Sequence, residues 1–528
     1  MKFTNRREEI LAKIEERQRQ DKSAAAFAQM CDVARANQAP ILHADHKRPT
    51  TRRELLAAGL VSGVGFVALP NLLGLAASKA YGAELVCAKG DSGAGGVMTP
   101  GYAELHLSGG WSLAHNVFAT KAKDGSFEPL SDAAYATLAL GPSQTPGKVT
   151  PVDMGAMLQP NAAFYQGLTQ MASAATLAKV KMAFMANQSG DDNGRNPLNV
   201  TDLVAKINGG GALTQAIESG KRHTPAFVDP ALSRANVADE SSLASMVDPG
   251  LVAAILGNGN ADAGKANAIE TAKAALNLTQ NKLDAMSARL ISEQSKNLIA
   301  CGYKGAADLL VEFSADRITP SNDADITGTA FANGVTYAQI SGNGNMASQQ
   351  KAIIAGKLLG EGLSATSVLE MGGYDYHGAG RAAQDQRDLA VGQVVGLMLE
   401  VASRKGAPLF ISVTSDGSVA SRGSGGANDR FDFSADSGSR GAILMIGLGA
   451  NEAPSLKQGY VGSFTDSGAV DTSHLVTANS PQLAAFAVAY NYAAMAGKMS
   501  EFSKIIRSSG VDVSQFNENE YLAFAPTK

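Results

Sequence analysis

A set of short, nearly continuous apolar runs, each closed by glycine or small polar residues, constrains the fold of this chain most. They are "YAELHLSGGW" from Tyr102, "VKMAFMANQSGDD" from Val180, "TSVLEMGGYD" from Thr366, "APLFISVTSDG" from Ala407 and "GAILMIGLGAN" from Gly441. A strand with one wet face alternates apolar and polar residues, whereas a strand covered on both faces does not. The runs therefore predict buried, mostly parallel strands. Ile291 to Tyr303, Ser348 to Glu361, Arg381 to Lys405 and Pro481 to Arg507 carry apolar residues at three- and four-residue spacing, the pattern of helices with a buried stripe. Strands alternating with helices predict an α/β fold with a mostly parallel sheet sandwiched between helices. From Ser241 to Leu298 the pattern is helical, with a break at "GNGNADAGKAN", and reads as a helical insertion. That stretch and "SGNGNM" (Ser341 to Met346) lack the lysine and hydroxyl residue of a phosphate-binding loop and read as turns.

The N-terminus reads separately. Residues 1–50 form a polar extension rich in both charges. Thr51-Arg52-Arg53-Glu54-Leu55-Leu56 then matches the twin-arginine export signal. The apolar stretch that follows is broken by glycines and Pro70, too weak for a stable membrane span, and ends in small residues. Residues 51–83 thus read as a signal peptide and 84–528 as the α/β domain, with the twin-arginine export machinery as a partner and a periplasmic or secreted destination. An internal amphipathic helix that opens on Arg-Arg is the competing reading. Ser78 and Ala80 fit a cut after Ala80; Ala80 and Gly82 fit one after Gly82.

Charge then bears on partners. The first 80 residues hold 13 Lys+Arg and 8 Asp+Glu. Of the chain's 45 basic and 49 acidic groups this leaves 32 and 41, a net charge of −9. An acidic mature protein argues against nucleic acid as a ligand. Cys87 and Cys301 are the cysteines left after cleavage, too few to define a disulfide framework, and Glu84-Leu85-Val86 before Cys87 is no lipid-attachment signal.

In an open α/β sheet, ligands bind beyond the carboxyl ends of the strands. The first run ends at Gly109-Gly110-Trp111-Ser112, with His115 and Asn116 close behind. The second ends at Asn187-Gln188-Ser189, before Asp191 and Asp192. The third ends at Gly372-Gly373-Tyr374-Asp375-Tyr376-His377, and the fourth at Thr414-Ser415-Asp416. The polar segment "GGANDRFDFSADSGSR" then offers Asp429, Asp432 and Asp436 before the last run. Carboxylate plus imidazole is a usual ligand set for zinc, manganese or iron. A capped turn with a surface histidine is the alternative for Asp375 and His377, and a helix cap or turn is the alternative for Asp416.

"HLSGGWS", "TSVLEMGGYDYH", the long helix after it and "LFISVTSDGSVASRGSGG" resemble the exported bacterial proteins grouped as domain-of-unknown-function family 1501. That family looks like a distant branch of the alkaline phosphatase and sulfatase superfamily, whose members hold one or two metal ions at the strand ends. The resemblance spans most of the mature chain and is most specific from Ala355 to Gly426. It implies metal ligands at Asp375, His377, Asp416 and Asp436. Departures from the family pattern accompany it. Ser112 stands where the family has an aspartate, Ser415-Asp416-Gly417 keeps only the acid of a Ser-Glu-Phe-Gly-Arg pattern, and Asp436 lacks its following histidine. Zinc, manganese, magnesium and calcium all suit three carboxylates and one imidazole. The missing ligands favour a non-catalytic binding or assembly component that works with an exported or cell-surface protein. The alternative is a metal-dependent hydrolase of phosphate or sulfate esters, with Ser112, Ser189 or a bound water as the attacking group.

Overall fold

Twelve strands appear among the described residues in a computed structural model of the chain. They are β1 (Gly101–Leu107), β2 (Val152–Asp153), β3 (Met157–Leu158), β4 (Val180–Ala186), β5 (Thr214–Ser219), β6 (Arg234–Asn236), β7 (Ser364–Met371), β8 (Leu409–Ser415), β9 (Val419–Ser421), β10 (Phe433–Asp436), β11 (Ala442–Leu448) and β12 (Tyr460–Val461). The residues described are 99–188, 198–208, 214–219, 227–229, 232, 234–246, 318–377, 380–426, 429–509 and 518–527. The signal segment, the cysteines, Ser189, Asp191, Asp192 and all but the start of the 241–298 insertion lie outside them. The start of that insertion belongs to a helix, Glu240–Met246.

Eight strands form one sheet in the order β12-β4-β11-β8-β1-β7-β5-β6. Pairings of β1 with β7 and β8, of β5 with β6 and β7, and of β12 with β4 are parallel. The last of the long runs departs from the expected direction: β11 is antiparallel to both β4 and β8. Its composition could not reveal this, because a strand buried on both faces reads the same in either direction. The reversal brings the start of β11, rather than its end, to the edge where β1, β4, β7 and β8 finish.

Alternate residues of the sheet enter two cores. Leu105, Ile411, Leu444 and Phe184 join the core on one face; Tyr102, Phe410, Met445 and Met185 join that on the other. The first core is closed by helices α1 (Ala163–Met171), α3 (Ala347–Gly360) and α4 (Arg381–Arg404), the second by α2 (Thr201–Asn208), α5 (Pro481–Met495) and α6 (Met499–Ser509). The segment expected as one helix from Pro481 to Arg507 is split between α5 and α6. Gly497 between them takes φ +65°, a conformation that ends a helix and suits glycine. Helices α1 and α4 cross at glycines: a Cβ on Gly392 would lie 2.0 Å from the Phe164 carbonyl oxygen, and one on Gly167 would lie 2.1 Å from that of Leu389. No helix among the described residues is long and apolar enough to cross a membrane.

Candidate metal centre

Glycines let the strand-end loops meet. Gly109 takes φ +116°, and a Cβ there would lie 2.3 Å from the Asp375 backbone nitrogen. Gly417 packs on the Gly110 backbone in the same way, at 3.1 Å. Backbone hydrogen bonds tie the loops together: Tyr374 N–H donates to the Ser108 carbonyl at 3.0 Å, and Ser437 N–H to that of Ser418 at 2.8 Å. The loops after β1, β7 and β8 therefore share one edge, as the parallel pairing requires.

Beyond β7 the chain turns at Gly372-Gly373, where Gly373 takes φ +84°, and the side chains that follow alternate between inside and outside. Tyr374 and Tyr376 turn inward and are buried, while Asp375 and His377 turn outward. This explains the Tyr-Asp-Tyr-His pattern: the tyrosines anchor the segment and the polar pair faces solvent. His377 Nδ1 faces Asp375 Oδ1 and, at 2.9 Å, Asp436 Oδ1. Asp436 arrives on the β9–β10 hairpin, where it pairs with Val419. Among the described residues, one ligand atom from each of Asp375, His377 and Asp436 lies within 4.8 Å of the others. Two carboxylates and an imidazole at this spacing suit a single divalent ion.

Other sequence candidates are placed elsewhere. Asp416 is buried, and its Oδ1 accepts the Gly109 N–H at 2.8 Å. It braces the β1 loop and is not one of the three clustered ligands. Ser112 is fully buried, and its Oγ has no hydrogen-bond partner among the described residues. A hydroxyl so enclosed does not present itself to a substrate beside His377. Of the other acids before β11, Asp429 accepts the Ser143 N–H at 2.7 Å, and Asp432 accepts that of Arg381 at 2.7 Å, at the start of α4. His106 is buried in β1, as its place in the run predicted.

Sequence reasoning missed Asp388. It is fully buried in α4 and accepts from Trp111 Nε1 (2.7 Å), His115 Nε2 (2.6 Å), Asn116 Nδ2 (3.1 Å) and the Tyr376 hydroxyl (2.5 Å). Burial alone would raise its carboxyl, but His115 and the hydrogen-bond donors hold it below the usual carboxylate range. Burial, with Arg381 nearby, pushes the His115 imidazole down. A carboxylate oxygen can only accept, so His115 Nε2 carries the hydrogen of their shared bond. A signal existed: Gln384 and Asp388 continue the stripe of Val391 and Val395, so a charge sits on the buried face of the helix.

A second buried acid, Glu104 in β1, accepts from Tyr102, from Ser412 Oγ (2.7 Å) and from Thr414 Oγ1 (2.7 Å) on the α5 side of the sheet. Burial outweighs these bonds and raises its carboxyl to about 7. A groove of about 400 Å³ runs beside Gly372 and Tyr374, with Glu370 and Arg387 in its lining.

Fold and site together define an α/β protein with a mostly parallel sheet and a three-ligand group at the strand-end edge. No protein-family model matches the chain, and no curated protein matches it. Among solved structures it aligns with a mutant of TAB5 alkaline phosphatase with magnesium bound, at 12% identity and a TM-score of 0.21. It also aligns with alkaline phosphatase from the Antarctic bacterium TAB5, at 13% identity and a TM-score of 0.19. Each alignment covers 67% of this chain and 93% of the other. Superpositions this loose assign no family.

Proposed function

We propose that this is an exported protein with an incomplete metal site, acting as a non-catalytic binding or assembly component. The carrying observation is the Asp375–His377–Asp436 group, which can supply three ligands to one divalent ion while Ser112 is buried and Asp416 is committed to the β1 loop. Two-metal hydrolysis needs ligands for both ions and a clamp on both reacting oxygens. Three ligands, two exposed and Asp375 half-buried, serve one ion, which would hold the Tyr374–His377 and β9–β10 loops together and present its open positions to a partner. The motif resemblance to domain-of-unknown-function family 1501 and the twin-arginine sequence favour export to the periplasm or beyond.

The test is titration of zinc and manganese into purified mature protein, followed by heat release. Saturable binding of one ion, lost in Asp375→Asn and His377→Ala, is the expected result. Absence of binding at millimolar metal refutes the reading. The hydrolase alternative requires metal-dependent turnover of a phosphate or sulfate ester, such as p-nitrophenyl phosphate, that disappears in the same variants. For export, lysine in place of both Arg52 and Arg53 should leave precursor in the cytoplasm; normal processing refutes that route.

A further inference from the structure

We propose that Asp388 and Tyr376 are positioning residues for the Asp375–His377 pair and hold it in the conformation that admits a cation. The proposal rests on the metal reading above. Tyr376 lies between the two ligands in the chain and points the opposite way, so any rotation of the segment that moves Asp375 or His377 must also move Tyr376. Helix α4 grips that residue at both ends. Gln384 Nε2 donates to the Tyr376 carbonyl at 3.1 Å, and the Tyr376 hydroxyl donates to Asp388 Oδ1 at 2.5 Å. The ring is packed between Tyr374 and Phe433, with centroids at 6.1 and 5.8 Å.

The grip matters because the segment has a pivot at its base. Gly372 and Gly373 are exposed, Gly373 takes φ +84°, and both allow the chain to turn after β7. The Tyr374 N–H bonds the Ser108 carbonyl just past the last β1–β7 pair, whereas the His377 N–H turns to the Asp375 side chain, at 3.3 Å. Asp436 comes from a separate hairpin, so the spacing of the three ligands depends on where Tyr376 is fixed.

Asp388 is itself held by three other donors. Trp111, His115 and Asn116, all from the segment after β1, donate to it, and that segment is braced by Asp416 through Gly109. Of the basic side chains nearby, Arg381 bonds Asp385 at 3.0 Å, Arg430 bonds the same carboxylate at 2.5 Å, and Arg387 lies over the Tyr376 ring, 6.0 Å from its centroid. A buried carboxylate held mainly by neutral donors needs each of them, because an unmet acceptor in the core is costly. That demand keeps the Tyr376 hydroxyl in place. Groups that orient metal ligands from behind typically change affinity 10- to 100-fold when removed.

The experiment uses the mature protein and the Tyr376→Phe variant, which loses one hydroxyl and keeps the ring. Zinc binding is measured by calorimetry, and amide exchange across 372–377 is measured without metal. The expected result is zinc binding weaker by at least about tenfold, with faster exchange in that segment and unchanged exchange in β8. Wild-type affinity and exchange in the variant overturn the proposal. So does lowered thermal stability with unchanged zinc affinity, the mark of a purely structural role. If the wild type binds no zinc, the metal reading itself falls and takes this proposal with it, an outcome distinct from a zinc-binding wild type with an unchanged variant.

Discussion

Replacing Glu104 by glutamine should make the stability of this protein less dependent on pH. Glu104 is buried in the middle of the sheet, and its carboxyl is raised from 4.5 to about 7, chiefly by burial. The folded chain thus holds this proton to a higher pH than the unfolded chain does. The folded state has its full stability from this group below about pH 4.5 and loses it progressively as pH rises through 7. At about 1.36 kcal/mol per pH unit, the gap amounts to roughly 3 kcal/mol by pH 8. Glutamine has nearly the shape of the protonated acid, carries no charge at any pH, and can still bond the hydroxyls of Tyr102, Ser412 and Thr414. Urea unfolding of both proteins at pH 5, 6, 7 and 8 is the assay. The difference between them should grow in favour of Glu104→Gln by a few kcal/mol across the range. A difference that stays constant with pH would show that Glu104 titrates alike in both states and would refute the reasoning.

Gly392→Ala should destabilise the fold by about 1–2 kcal/mol. The clash with the Phe164 carbonyl exceeds the gain of roughly 1 kcal/mol from replacing a helical glycine; denaturant midpoints check this. Ser112→Ala should leave stability unchanged or raise it by up to about 1 kcal/mol, since it removes a buried hydroxyl without a hydrogen-bond partner among the described residues. Any ester hydrolysis that the protein shows should survive that change, and its loss on assay would restore Ser112 as a nucleophile. Asp436→Asn should weaken zinc binding by at least about tenfold while leaving metal-free thermal stability nearly unchanged, because the side chain is 56% exposed. Calorimetry and a thermal melt together test both halves of that statement.

Much of the architecture is legible in the amino-acid sequence alone. Nearly continuous apolar runs such as "LFISV" and "AILMI" are favourable only where both faces of a strand are covered, which requires helices on both sides. Glycines at the run ends mark where loops pack closely, and Asp375 with His377 stands out because two polar side chains follow such a turn. Run composition carries no direction, so the reversal of β11 depends on its neighbours β4 and β8. Short strands such as β6 and β12 are invisible in the sequence because two or three residues give no period. Membership of the ligand group is a tertiary matter. Asp416 and Asp436 look alike in the sequence. Yet Asp416 is buried on the Gly109 amide, whereas the β9–β10 hairpin carries Asp436 to His377. The same holds for Asp388, an acid inside a helix, three of whose four donors lie more than 270 positions away in the chain. Local sequence sets which faces of an element must be buried, because that follows from side-chain period and transfer energy. Which polar groups then meet depends on strand order and loop packing, and those are set by the whole chain at once.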